Sequence, residues 1–300
     1  MYNPNKSTLP DPTVKMTVVV FTDAEPDDMA ALVLLCKREM IDYIVVGEGK
    51  DLQRKAHRVH LLTDRPVFIG AESDKEFPEF LPEDDKKYTK WTPFVVNTNT
   101  TIYMLKPPRE FVSTWKSIAP ILTTCTLKMY GGFNIRAVEM DMIGFFNTFR
   151  ETYLFESYPA FGENNSISGD DITELMEIPL VRQTQEAWDK FCMQDAKETC
   201  LAIDADFPPS LPKDHEKAAQ YNRNRKCYDQ IAAGPQILVC DIGLAISKET
   251  EYIPGIISFG EYTEFEASEK SSVKYVRACG IRDYVDRMKQ FLTSGYAYCY

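Results

Sequence analysis

Histidine is scarce in this chain, with 3 in 300 residues, and tryptophan is equally rare. His57 and His60 lie three apart with no Glu-x-x-His context, and His215 sits in a charged stretch, so a histidine-based zinc centre is not indicated. The 8 cysteines are scattered, with no C-x-x-C pair, which excludes a zinc ribbon and gives no disulfide framework. No apolar run reaches the ~18 residues that a membrane-spanning helix needs. The first fifteen residues are polar and Pro-bearing and lack the apolar core of a signal peptide, so reduced thiols and a cytoplasmic setting are expected. Basic residues are outnumbered, 34 Lys+Arg against 45 Asp+Glu, for a formal charge of −11. An acidic balance of that size disfavours a phosphate-tracking nucleic-acid surface or an anionic membrane, and suits a small ligand or a bound cation.

The chain is 44% apolar with 17 Phe and 16 Tyr, enough for a substantial core. Met16–Thr22 is a short valine-rich run of the kind that is buried on both faces of a parallel sheet. A helix is predicted over Asp27–Met40, then a strand at Tyr43–Val46, a helix at Asp51–Thr63 and a strand at Pro66–Ile69. Such alternation means βαβ units. A further unit follows, with strands at Thr101–Met104 and Thr124–Lys128 around a helix at Glu110–Ile118. Beyond a polar loop at Phe161–Asp171, a helix is predicted over Leu180–Ile203, and Pro-rich Asp206–Asp214 ends it. A polar helix at Glu216–Ala233 and a buried strand at Gln236–Val239 come next. Edge strands at Ile253–Glu266 and Ser272–Cys279 and a closing helix at Ile281–Thr293 complete the chain. The expected fold class is α/β: a polar tail over 1–15, then one domain over 16–300 built on a single open, mostly parallel sheet flanked by helices.

The densest chemistry is at Thr22-Asp23-Ala24-Glu25-Pro26-Asp27-Asp28, where four carboxylates fall within six residues. They stand directly after a buried strand and at a helix start, the place where open α/β sheets bind ligands. Close anionic groups repel, and a hard divalent cation relieves that repulsion far better than a helix N-terminus does. The residues alone leave two other readings open. Asp27 and Asp28 can simply occupy the favourable first helical turn, or the turn can be the Asp-x-Asp of a magnesium phosphohydrolase, with Glu25 in place of the second Asp.

The stretch Phe21-Thr22-Asp23-Ala24-Glu25-Pro26-Asp27-Asp28-Met29-Ala30-Ala31-Leu32 resembles, without a gap, the opening motif of the nucleoside hydrolases, D-T-D-P-G-x-D-D-x-x-A followed by Ile or Leu. Other stretches are similar to that family's motifs in the same order. They are Val45-Val46-Gly47-Glu48, Pro66-Val67-Phe68-Ile69-Gly70-Ala71, Met129-Tyr130-Gly131-Gly132, Phe145-Phe146-Asn147 and Cys240-Asp241-Ile242-Gly243-Leu244-Ala245. The resemblance covers about residues 16–293. It implies a Rossmann-like core and a calcium-dependent N-ribohydrolase in which Asp23, Asp28 and Asp241 hold Ca2+ together with the backbone carbonyl of Met104. It also implies that Asp23 takes the proton of the attacking water, that Asp27 binds the ribose hydroxyls and that Asn147 binds the 5′ side.

Departures from the pattern stand at several positions. Glu48 replaces a ribose-binding Asn, Phe145 a Glu, and Phe21 the first Asp of the motif. Cys240 occupies the position of a histidine that protonates the leaving base, and Lys106-Pro107-Pro108-Arg109 stands in place of G-P-L-T-N. Tyr221, Arg225 and Tyr228 share one face of the polar helix and are candidates for base contact. The expected partner is a nucleoside-like small molecule, neither a nucleic acid polymer nor a membrane, bound by a homodimer or homotetramer. The alternative expectation is a catalytically impaired relative that binds or sequesters such a ligand.

Overall fold

The computed structural model describes residues 16–74, 87–93, 96–131, 134–135, 137–157, 166–202, 236–259, 263–278 and 281–293. The first unit is β1 (Thr17–Thr22), α1 (Pro26–Arg38), β2 (Tyr43–Val46), α2 (Leu52–Thr63) and β3 (Val67–Ile69). It continues with β4 (Thr100–Met104), a 3-10 turn at Arg109–Phe111, α3 (Ala119–Leu122), β5 (Thr126–Tyr130), α4 (Met142–Thr148) and β6 (Glu151–Ser157). The helix expected over Glu110–Ile118 is a run of turns ending in the short α3, because Pro107, Pro108 and Pro120 remove backbone donors on both sides of it.

After β7 (Ser166–Ser168) and α5 (Thr173–Met176) comes the long α6 (Pro179–Ala202). β8 (Gln236–Leu238), α7 (Val239–Ile246), β9 (Ile253–Phe259), β10 (Thr263–Ala267), β11 (Val273–Ala278) and α8 (Ile281–Thr293) follow. The helix expected over Glu216–Ala233 lies outside the described residues.

Nine strands form one sheet in the order β10-β9-β11-β6-β5-β4-β1-β2-β3, parallel from β11 to β3. The tail differs in detail from the expectation. Only the antiparallel β9–β10 hairpin lies at the edge, whereas β11 is inserted between β9 and β6 and runs parallel to β6. Gln236–Leu238 is not a strand of the main sheet; it pairs antiparallel with β7 in a separate two-stranded ribbon.

The central strand β1 is buried almost throughout, as its valine run requires. One apolar layer, with Met29, Leu34, Ile44 and Ile242, lies on the side of α1 and α7. The other, with Phe21, Trp91, Phe111, Trp115 and Phe145, covers the opposite face. The carboxyl ends of β1, β2 and β4, three adjacent strands, therefore open between two packed layers. No described helix is long and apolar enough to cross a membrane.

Candidate active site

The turn that leaves β1 is organised by one carboxylate. Asp28 Oδ2 accepts from Thr22 Oγ1 at 2.5 Å, from the Asp23 N–H at 2.8 Å and from the Ala24 N–H at 3.1 Å. The side chain of α1 thus reaches back over its own N-terminus and fixes the turn. Ala24 takes a left-handed φ of 60° there, a conformation that costs a non-glycine residue on the order of 1 kcal/mol. Two buried cations from α2 hold the outer side of the turn. Lys55 Nζ donates to the carbonyls of Asp23 and Glu48, both at 3.0 Å, and Arg58 Nη2 donates to the Ala24 carbonyl at 2.6 Å.

All three of these bonds fall on one oxygen of Asp28. Carboxylate oxygens of Asp27, Asp28 and Asp241 lie within 4.8 Å of one another. Asp241 arrives from far along the chain, in the first turn of α7, which packs against α1. Asp23 completes the group and interacts electrostatically with both Asp27 and Asp28. Asp23, Asp28 and Asp241 are buried.

Burial, and then the Asp23 charge, push the Asp27 carboxyl up to about 6. Burial followed by Asp23 and Asp27 raises Asp28 well above the ordinary carboxylate range. The Asp27 side chain lies beside that of Asp241, and the Asp28 side chain beside that of Asp23. Carboxyls held this close and out of water repel one another, and a compensating cation relieves that repulsion. Carboxylate oxygens this close are the donor set that a hard divalent ion takes, and the residues fit such an ion. Met104, the last residue of β4 and buried, is in register with Phe21 one strand away from the acidic turn. The next carbonyl, that of Leu105, accepts from Asn134 Nδ2 at 2.7 Å.

A second polar group lies beside the acids. Glu48, buried and left-handed with φ 64°, follows β2. Its Oε1 is 2.6 Å from Arg109 Nε and 3.7 Å from Lys106 Nζ. Lys106 Nζ is also 2.9 Å from Glu110 Oε2, and Glu110 Oε1 accepts from the Ala71 N–H at 2.9 Å. A side chain on Gly47 would meet this cluster, since a Cβ there would stand 2.6 Å from both Glu110 Oε1 and Lys106 Cε. The charge that Glu48 brings to the crevice is thus balanced by the same Lys-Pro-Pro-Arg segment that departs from the family pattern.

No protein-family model matches this chain, and no curated protein matches it either. Solved structures do. A purine-preferring ribonucleoside hydrolase from Gardnerella vaginalis superposes with a TM-score of 0.58, at 10% identity, over 93% of this chain and 98% of its own. The effector protein XOO4466 superposes at 0.56, also at 10% identity, over 94% of this chain and 93% of its own. The chain has the nucleoside hydrolase fold.

Within that fold the other sequence candidates are placed as follows. Asn147 is exposed on α4 and donates from Nδ2 to the Ile143 carbonyl at 2.9 Å. It stands four residues before β6 begins, at the end of the parallel sheet opposite the aspartates, and the structure does not bring it to them. Phe145 is fully buried between Phe111 and Phe149. Phe21 packs edge-on against Trp91. Cys240 falls in the first turn of α7, one residue before Asp241, and its side chain lies outside the description; Tyr221, Arg225 and Tyr228 lie outside the described residues altogether.

His57 Nδ1 is 3.1 Å from the Tyr88 hydroxyl, and His60 Nδ1 is 2.9 Å from the Arg65 carbonyl, so both serve local structure. Sequence reasoning missed Thr22, Lys55, Arg58 and the Lys106–Glu110 pair. The signals present were two cations three apart on a helix next to an acidic turn, and a charged run directly after a buried strand.

Proposed function

We propose that this protein hydrolyses the N-glycosidic bond of a nucleoside-type ribosyl compound with the help of one Ca2+ ion. The observation that carries the reading is the convergence of Asp27, Asp28 and Asp241 at the carboxyl end of β1, with Asp23 beside them. The nucleoside hydrolase fold supports it. Asp28 and Asp241, with Asp23 or Asp27, would hold the cation. A divalent ion there would offset the carboxylate charge and supply Lewis-acid assistance to the deprotonation of water.

The rest is done by the chain. Asp23, fixed through its backbone to Asp28 and Lys55, takes the proton of the attacking water. Asp27, at the mouth of the turn, accepts from the sugar hydroxyls and so orients the anomeric carbon. The buried negative potential of the cluster stabilises the positive charge that grows on the sugar as the bond to the base breaks.

A second reading is a protein that binds such a ligand with little turnover. The placement of Asn147 and Phe145 favours it, since neither reaches the aspartates. The effector XOO4466 shares the fold, which shows that a protein described as an effector can be built on it.

A panel of purine and pyrimidine nucleosides, measured for binding by calorimetry and for free base and reducing sugar, in EGTA and again after calcium is restored, separates the two. Calcium-dependent release of base from any member supports hydrolysis. Calcium-dependent binding without release supports the second reading, and neither binding nor release contradicts both.

A further inference from the structure

We infer that Arg109 is a ligand-binding residue and that the ligand it reads is a ribosyl compound carrying a phosphate ester, an inference that rests on the proposed use of the aspartate site. The position of Arg109 follows from topology. β1 lies between β2 and β4, so an ion pair from Glu48, two residues past β2, to Arg109 in the segment after β4 bridges the end of β1, where the chain continues into Asp23. Lys55 fixes the same neighbourhood, because its Nζ touches the carbonyls of Asp23 and Glu48 together. The guanidinium thus stands at the same end of the sheet as the acids.

The two ends of the Arg109–Glu48 pair are unequally buried. The Glu48 side chain is 0% exposed and that of Arg109 is 33% exposed. Only Nε of Arg109 is engaged, at 2.6 Å, and its two Nη groups have no partner among the described residues. Elsewhere such groups are used. Arg38 Nη1 donates to the carbonyls of Ala245 and Ser247, Arg58 Nη2 to Ala24, and Arg150 Nη2 to Thr126. Arg109 is therefore a fork anchored along one edge and open along the other.

The other cations of this region are committed. Lys106 is fully buried between Glu48 and Glu110, and Lys55 donates to two carbonyls. An anionic substituent on a ligand beside four carboxylates needs a cation with an open donor edge, and Arg109 provides it. A guanidinium held in place by a buried carboxylate suits phosphate, whose oxygens accept from both Nη groups at once.

The test uses the full chain with calcium present and measures binding of ribose, ribose 5-phosphate and inorganic phosphate by calorimetry. Ribose 5-phosphate should bind at least tenfold more tightly than ribose, a ratio expected for one charge-assisted contact. In Arg109→Gln the ratio should fall below about two, and in Arg109→Lys it should lie between, because the charge is kept and the fork is lost. If Arg109→Gln fails to fold because Glu48 is left uncompensated, the double variant Glu48→Gln/Arg109→Gln carries the same comparison.

Equal affinity for the two sugars in the unaltered protein overturns the inference while leaving the ribosyl site intact. So does a ratio that survives Arg109→Gln, or inorganic phosphate binding as tightly as ribose 5-phosphate. Absence of binding by either sugar counts against the aspartate site itself, and the inference falls with it.

Discussion

Replacing Asp28 by Ala or by Asn separates its two duties, and the structure sets the size of each effect. Its Oδ2 accepts three hydrogen bonds, from Thr22 Oγ1 and from the N–H groups of Asp23 and Ala24, in a position that solvent does not reach. Alanine leaves the Thr22 hydroxyl and the Asp23 N–H without their acceptor, whereas the Ala24 N–H keeps Thr22 Oγ1 at 2.9 Å. At roughly 1–2 kcal/mol for each buried group so stranded, the loss is about 2–4 kcal/mol, partly offset by relief of repulsion from Asp23 and Asp27.

Asparagine keeps an acceptor oxygen in the same place and removes the charge, so its cost without metal should be below about 1 kcal/mol, or negative. Urea unfolding at pH 7.5 in EGTA should therefore rank the variants with Asn near the parent and Ala about 2 kcal/mol or more below it. Adding calcium should stabilise the parent and neither variant, since a ligand stabilises only the fold that binds it. If Asn destabilises as much as Ala, or if either variant gains from calcium as the parent does, the assignment of Asp28 as both keystone and ligand is wrong.

The pH dependence of the metal-free protein has a sign fixed by the same cluster. Asp27 is raised to about 6 and Asp28 is raised too, so between about pH 4 and 6 the folded chain binds more protons than the unfolded one. Stability in EGTA should fall as pH rises through that window, and thermal unfolding at pH 5 and 7.5 checks it; saturating calcium should remove the effect. Lys106→Met should destabilise by about 3–5 kcal/mol, because Glu110 and Glu48 lose a fully buried counter-charge. Adding Glu110→Gln should restore part of that in urea unfolding, and a double variant as unstable as the single one would show that the pair is not coupled.

The parallel core was legible because its strands are continuous apolar runs and its helices carry a clear apolar face. Tyr43–Val46 and Ile281–Thr293 were read to the residue. The acidic turn was legible for a different reason: four carboxylates after a buried strand have few structural explanations. What the sequence hid was mostly long-range.

β6 (Glu151–Ser157) has an apolar run of only three residues, Tyr153-Leu154-Phe155, between two glutamates, so its place in the middle of the sheet shows only in its pairing with β5 and β11. Val273–Ala278 has the look of an edge strand, yet the β9–β10 hairpin covers its outer side. Asn147 was assigned by motif position, but the side chain is set by the helix it sits on, which directs its amide to Ile143. Glu48 read as a stray negative charge until the fold brought Lys106 and Arg109 across the end of β1 to meet it. Compensation across strands of this kind has no periodicity to betray it.

Titration of the metal-free protein with calcium, followed by calorimetry in the parent and in Asp241→Asn, asks whether the aspartates hold one ion between them. Asp241 is separated from the acidic turn by more than two-thirds of the chain and meets it only in the fold. One high-affinity calcium ion per chain is expected in the parent, with a loss of at least tenfold in affinity in the variant, about 1.4 kcal/mol or more. A parent that binds no divalent ion, or a variant that binds calcium as tightly as the parent, would contradict it.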